Sequence, residues 1–126
     1  MIELRHVFLN RDGRDVLRDV DVLFDRGEFV LLLGPTGAGK SSILELIYFE
    51  QRPTRGAVFV GEYDSETIRE RDIPYLRRRV GVIFQNCRLL PNRTVYENVA
   101  FAAQVTGSSR SEVKRRTMFA LAAVDL

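Results

Sequence analysis

The segment Gly34-Pro35-Thr36-Gly37-Ala38-Gly39-Lys40-Ser41 is the most informative part of this sequence. It fits the pattern of glycine, four residues, glycine, lysine and serine without a gap. Glycines let the backbone curve closely around an anion, so that several N–H groups point at it. Lys40 can then reach the β- and γ-phosphates of a nucleotide, the Ser41 hydroxyl can ligate Mg²⁺, and Ser42 is an accessory donor. The sequence therefore predicts a P-loop that binds nucleotide.

The flanking residues support this interpretation over a glycine-rich turn that fits by chance. Residues 29–33 form a continuous apolar run, which is typical of a strand buried on both faces of a parallel sheet. Residues 41–49 place apolar side chains at helical spacing, and Pro53 and Gly56 close that element. The order of strand, loop and helix is the context that a P-loop requires.

An antiparallel hairpin is predicted before the loop. Residues 2–9 and 16–24 are rich in Val, Leu, Ile and Phe, and the Asp12-Gly13 pair between them is a strong turn signal. Alternation of apolar residues with aspartates along residues 19–25 predicts that the second strand buries one face and exposes the other.

After the loop, the pattern predicts short strands at residues 57–60 and 80–84 and a short helix over residues 73–79. The Thr94 and Glu97 pair has the form of a capping box, with a helix running to about residue 105. Ser109 and Glu112 repeat the box before a last helix that continues through residues 121–125.

Composition indicates one modest globular unit. The 126 residues are 45% hydrophobic and 29% charged, with a formal net charge of +2, so nothing indicates a nucleic-acid partner. The basic runs at residues 77–79 and 114–116 are interpreted as solvated faces. The single cysteine, Cys87, favours the reducing cytoplasm, and no stretch approaches the roughly 18 apolar residues of a membrane span.

Gln85 follows the apolar run of residues 80–84 directly. A glutamine at the end of a parallel strand beside a P-loop can contact Mg²⁺ or position the attacking water. From spacing alone, an ordinary loop glutamine is an equal alternative.

The whole chain nevertheless resembles the nucleotide-binding domain of the ABC ATPases. The resemblance rests on the P-loop, on Phe84-Gln85 and above all on residues 88–101, Arg-Leu-Leu-Pro-Asn-Arg-Thr-Val-Tyr-Glu-Asn-Val-Ala-Phe, which are most similar to the branch that acts in bacterial cell division. It implies that Gln85 is the Q-loop glutamine, which acts in catalysis and contacts Mg²⁺ together with Ser41. It also implies that Asn86, Cys87 and Arg88 are candidate contacts to a membrane partner.

The same resemblance implies an ATP hydrolase that works as a homodimer with ATP and Mg²⁺. Such a protein would be cytoplasmic and peripheral on the inner face of the plasma membrane, held there by an integral permease-like partner. Family members stack adenine on an aromatic side chain in the early hairpin, and Arg11 occupies that position here.

The expected fold is α/β: a P-loop NTPase core with an antiparallel β subdomain, in which residues 1–126 form the N-terminal portion of an ABC-type nucleotide-binding domain. The family's signature sequence, its Walker B strand and its catalytic glutamate are not found in these residues. We therefore expect truncation before the helical signature subdomain, and a chain that by itself is not competent for hydrolysis. The alternatives are a non-catalytic nucleotide-binding or dimerisation module that regulates a full-length ABC ATPase, and a P-loop kinase or GTPase.

Overall fold

The computed structural model describes all residues from Met1 to Leu126. They form two compact units, Met1–Val80 and Gly81–Leu126. No helix combines the length and the apolar character needed to cross a bilayer.

The first unit is built on a four-stranded antiparallel sheet. Its strands are β1 (Ile2–Arg11), β2 (Arg14–Phe24), β3 (Arg55–Val60) and β4 (Tyr63–Asp64). Their order in the sheet is β2-β1-β3-β4. The predicted hairpin is confirmed, with Arg11 opposite Arg14 at the turn and Ile2 opposite Phe24 at the far end. As the alternation predicted, Val20, Val22 and Phe24 are partly buried while the aspartates beside them are exposed.

Two helices complete this unit. Helix α1 (Lys40–Ile47) follows the glycine-rich loop, and α2 (Ile73–Arg77) follows a single 3₁₀ turn, Glu70–Asp72. Leu46 of α1 and Leu76 of α2 are fully buried in one apolar core with Leu4, Val7 and Val58 of the sheet. Burial of these side chains is the main stabilising contribution to the unit, at about 1.5–3 kcal/mol for each.

The basic run at residues 77–79 is not simply a solvated face. The Arg77 guanidinium donates to the carbonyls of Tyr48 and Phe49, at 3.0 and 2.9 Å. These carbonyls lie just beyond the end of α1, where backbone acceptors have no intrahelical partner. Arg77 therefore ties α2 to the end of the helix that begins at the P-loop.

The second unit contains α3 (Val95–Val105) and α4 (Arg110–Ala122), which pack against each other. Both predicted capping boxes are present: Thr94 and Glu97 satisfy each other's backbone N–H groups, as do Ser109 and Glu112. Ala100, Val113 and Thr117 are buried in this unit.

The two predicted parallel strands are absent, and this corrects the sequence analysis. Residues 29–33 and 80–84 form no ladder, and the apolar run is exposed rather than buried, with Phe29 at 92% and Leu33 at 78%. A strand requires hydrogen-bonded neighbours, and every ladder in this chain lies in the antiparallel sheet. The prediction that residues 29–33 form a strand buried on both faces is therefore wrong for the structure of these 126 residues.

Candidate nucleotide-binding site

The glycine-rich loop, residues 34–39, connects the exposed apolar segment to α1. Gly39 is the N-cap of α1 and adopts the left-handed conformation, with φ of 87°. A side chain there would place a Cβ atom 2.7 Å from Leu17 Cδ2 and 3.1 Å from the Val16 carbonyl of β2. A side chain at residue 39 would therefore be strained by the left-handed backbone conformation, and it would also require Leu17 and the Val16 carbonyl to shift.

Lys40 is the first residue of α1, and its side chain folds back over the loop. Its Nζ donates to the carbonyl oxygens of Gly34 and Pro35, both at 2.8 Å. The ammonium group is thus held over the concave face of the loop by two neutral acceptors. Phosphate oxygens are stronger acceptors for an ammonium donor than carbonyls, because charge-assisted hydrogen bonds are about twice as strong as neutral ones.

The start of α1 differs from those of α3 and α4. Gly39 provides no side-chain cap and no acidic residue stands in the first turn, whereas the other two helices each have a complete capping box. The first N–H groups of any α-helix have no intrahelical acceptor, and they carry the positive end of the helix dipole. At α1 these donors remain available to an external anion.

Ser41 and Ser42 follow Lys40 in the first turn of α1 and differ in exposure. Ser41 is exposed, as a hydroxyl that ligates Mg²⁺ must be, whereas Ser42 is only 5% exposed. The exposure of Ser41 is therefore consistent with the predicted role as a metal ligand. The burial of Ser42 does not favour the predicted role as an accessory donor to a nucleotide.

Arg11, at the tip of the β1–β2 hairpin, pairs with α1. Its guanidinium lies 2.7 Å from the Glu45 carboxylate, which also accepts from Gln51 Nε2 at 3.0 Å. Glu45 could not be identified from sequence, because no pattern in the sequence indicates that the hairpin tip contacts α1. Stacking of Arg11 on a base stays a prediction.

Gln85 lies in the second compact unit, in an exposed turn of residues 85–88. Cys87 and Arg88 in this turn both have positive φ, at 51° and 41°, and the Cys87 N–H donates to the Phe84 carbonyl at 3.0 Å. Cys87 is an exposed free thiol. The roles of Gln85 in catalysis and of Asn86, Cys87 and Arg88 in partner contact stay predictions.

Comparison with known proteins defines the class to which this fold and this loop belong. The model of the ABC transporter family matches residues 17–126. A dimeric ATP-binding cassette, MJ0796, in a post-hydrolysis state bound to ADP and Pi has a TM-score of 0.88 to this structure at 28% identity, over 100% of this chain and 58% of that one. The chain therefore belongs to the ABC transporter family, and the predicted fold class is confirmed.

Among curated proteins, the chain is similar to the cell division ATP-binding protein FtsE. It is 43% identical to FtsE of Bacillus subtilis and 40% identical to FtsE of Escherichia coli, in each case over 100% of this chain. It covers 56% and 57% of those two relatives, so it spans little more than half of their length. The predicted sequence similarity to the cell-division ATPases is thus confirmed.

Proposed function

We propose that the protein binds Mg·ATP at the loop of residues 34–39 with Lys40 and Ser41, as the N-terminal portion of an ABC-type nucleotide-binding domain. The observation that carries the proposal is the uncapped, acid-free start of α1 with the Lys40 ammonium held over it. These are positive groups without a carboxylate to neutralise them, which is the requirement for binding several phosphate charges.

Binding proceeds by exchange of acceptors at Lys40. The ammonium group leaves the Gly34 and Pro35 carbonyls for phosphate oxygens, and the loop amides donate to the same phosphates. Mg²⁺, when bound, neutralises charge on the phosphates, and the exposed Ser41 hydroxyl is placed to hold it. Gln85 would orient the attacking water in the complete ATPase.

We also propose a cellular role for the complete ATPase of which these residues would be the N-terminal portion. Its similarity to FtsE supports an ATPase that acts in bacterial cell division, as a homodimer that drives an FtsX-like permease. Dimeric cassettes among the similar structures support the homodimer. Sedimentation with membranes only when that permease is present would support this role, whereas sedimentation independent of the permease would count against it.

Calorimetric titration of Mg·ATP into the purified protein tests nucleotide binding directly. We expect saturable binding that is lost in Lys40→Ala, because removal of the ammonium leaves the phosphate charge without its mobile partner. The chain has one other lysine, Lys114, which lies exposed on α4 and makes Lys114→Ala a matched control. Unchanged binding in Lys40→Ala, or equal loss in both variants, would refute the proposed site.

A further inference from the structure

A second cluster of chemically active side chains lies on the β1–β2 hairpin, in residues that the nucleotide proposal does not use. His6 Nδ1 is 2.9 Å from Asp19 Oδ1 and 3.1 Å from Asp21 Oδ2. Donor atoms of all three residues lie within 4.8 Å of one another. The three side chains are exposed, so a small ion has free access to them.

Two bulges on opposite strands create this cluster. Between the pairs Leu4–Val22 and Val7–Val20, β1 has two residues where β2 has only Asp21. Between Val7–Val20 and Leu9–Leu17 the extra residue is on β2. Bulges re-aim side chains and locally increase twist. Here each contains a non-glycine residue at positive φ, His6 at 46° and Asp19 at 48°.

The backbone fixes the orientation of one carboxylate. The His6 N–H donates to Asp21 Oδ1 at 2.9 Å, and the other oxygen of the same carboxylate, Oδ2, faces His6 Nδ1. Asp19 stands two residues before Asp21 on β2, and both side chains are on the exposed face of the strand. The cluster is therefore held by main-chain geometry rather than by flexible side chains alone.

The charge balance of the cluster is negative. Nearby arginines pair elsewhere: Arg5 with Glu3 at 2.6 Å and Arg18 with Asp15 at 3.2 Å. Two carboxylates thus face one imidazole, which leaves a net charge of about −2 when the imidazole is neutral. A divalent cation balances this charge, whereas a protonated imidazole balances only half of it.

We propose that His6, Asp19 and Asp21 form a binding site for a divalent transition-metal ion such as Zn²⁺. Tetrahedral Zn²⁺ holds nitrogen and oxygen ligands at about 2.0–2.2 Å, which places neighbouring ligand atoms about 3.3–3.6 Å apart. The 2.9 and 3.1 Å separations from His6 Nδ1 to the two carboxylates need only a small expansion to reach that spacing, and the two carboxylate oxygens lie within 4.8 Å of each other. Water completes the coordination, and the imidazole donor selects Zn²⁺ over Mg²⁺ or Ca²⁺.

The composition of the chain makes the test direct, because His6 is its only histidine. Its imidazole C–H signals in an NMR spectrum therefore report on this site alone. The two carboxylates raise the pKa of His6, chiefly through the hydrogen bond that the imidazole donates to Asp19, so the Zn²⁺ titration is run well above that pKa. We expect saturable shifts of these signals with Zn²⁺ and no competition from excess Mg²⁺.

Calorimetry with Zn²⁺ on matched variants assigns the ligands. His6→Asn removes the imidazole with a residue that tolerates positive φ, and Asp19→Asn removes one charge in the same way. Each should weaken Zn²⁺ binding by about tenfold or more, equal to about 1.4 kcal/mol. Asp25→Asn, at an exposed position just after the same strand and outside the cluster, should bind Zn²⁺ as the unsubstituted protein does.

Cys87→Ser is the necessary second control, because Cys87 is an exposed thiol and thiolates also bind Zn²⁺. Its binding should equal that of the parent. The proposal is overturned if the His6 signals do not move in excess Zn²⁺, if folded His6→Asn binds normally, or if binding disappears in Cys87→Ser. In each of these cases the cluster is only a histidine–aspartate ion pair. None of these outcomes bears on ATP binding at Lys40.

Discussion

At the scale of single residues, the carbonyl of His6 lies so close to β3 that only glycine can stand opposite it. A Cβ atom on Gly56 would be 2.2 Å from the His6 oxygen and 2.4 Å from the Arg5 oxygen. The close approach falls where the β1–β3 register shifts between Arg5 and Phe8. The bulge that aims the His6 side chain outward therefore also requires a residue without a side chain on the neighbouring strand.

Gly56→Ala should lower the free energy of unfolding by about 2–5 kcal/mol, the sum of the left-handed backbone cost and of overpacking against main-chain atoms. Gly61→Ala is the matched control, because Gly61 also has positive φ, at 61°, but nothing within 4 Å of its added Cβ. It should cost only the backbone part, about 1–2 kcal/mol. Equal losses in urea denaturation of the two variants would show that β1 and β3 do not approach as described.

At the scale of secondary-structure elements, the residues that start helices were predictable and the strands around the P-loop were not. A capping box is decided by residues three apart, so Thr94, Glu97, Ser109 and Glu112 could be assigned from sequence alone. The hairpin was also local, because its turn sits between its two strands. The segments at residues 29–33 and 80–84 depend on distant partners, which an apolar pattern cannot identify.

In the candidate sites, too, contacts between residues that are distant in sequence could not be predicted. The P-loop is a contiguous motif, so its residues could be located from spacing, and their roles stay predictions. The His6 cluster combines β1 with β2 through two bulges, and no periodic pattern predicts a bulge. Glu45 was missed for a similar reason, since its contact with Arg11 joins residues 34 positions apart.

The cap of α3 leads to a prediction about pH. Hydrogen bonds from the Thr94 backbone and hydroxyl lower the pKa of Glu97 below its ordinary value. A carboxyl group with a lowered folded pKa stabilises the helix above its unfolded pKa, and this contribution is lost as pH falls through the folded pKa. Glu97→Gln should therefore remove most of the acid sensitivity of α3, because glutamine keeps the capping hydrogen bond without a charge.

Helix α4 is the internal control in the same sample. The Ser109 hydrogen bonds lower the pKa of Glu112 in the same way, so α4 in Glu97→Gln should still lose helicity on acidification. Backbone ¹³C shifts measured from neutral to acidic pH distinguish the two helices. Persistent acid sensitivity of α3 in the variant would mean that the Glu97 carboxylate does not control its start.

At the scale of the whole molecule, the chain combines a well-formed core with an unusual amount of exposed apolar surface. Leu4, Leu46 and Leu76 are at most 1% exposed, while Leu31 is 69% and Ile83 100% exposed. Monomeric soluble proteins rarely leave large contiguous apolar patches in water. The apolar run of residues 29–33 also precedes the P-loop directly, so it lies beside the residues proposed to bind ATP.

This exposure predicts how the purified 126-residue chain behaves in solution. It should bind an apolar fluorescent dye and self-associate as its concentration rises, because association removes the run of residues 29–33 from water. The double variant Leu31→Lys with Leu33→Lys should reduce both effects and leave the melting temperature nearly unchanged, since both side chains are already exposed.

Leu46→Lys, at a position with 0% exposure, should instead prevent folding, because it places a charge in the core. Light scattering and dye fluorescence on the same samples separate these results. If the unsubstituted chain stays monomeric and does not enhance dye fluorescence, or if the double variant fails to fold as Leu46→Lys does, residues 29–33 are buried within the folded chain.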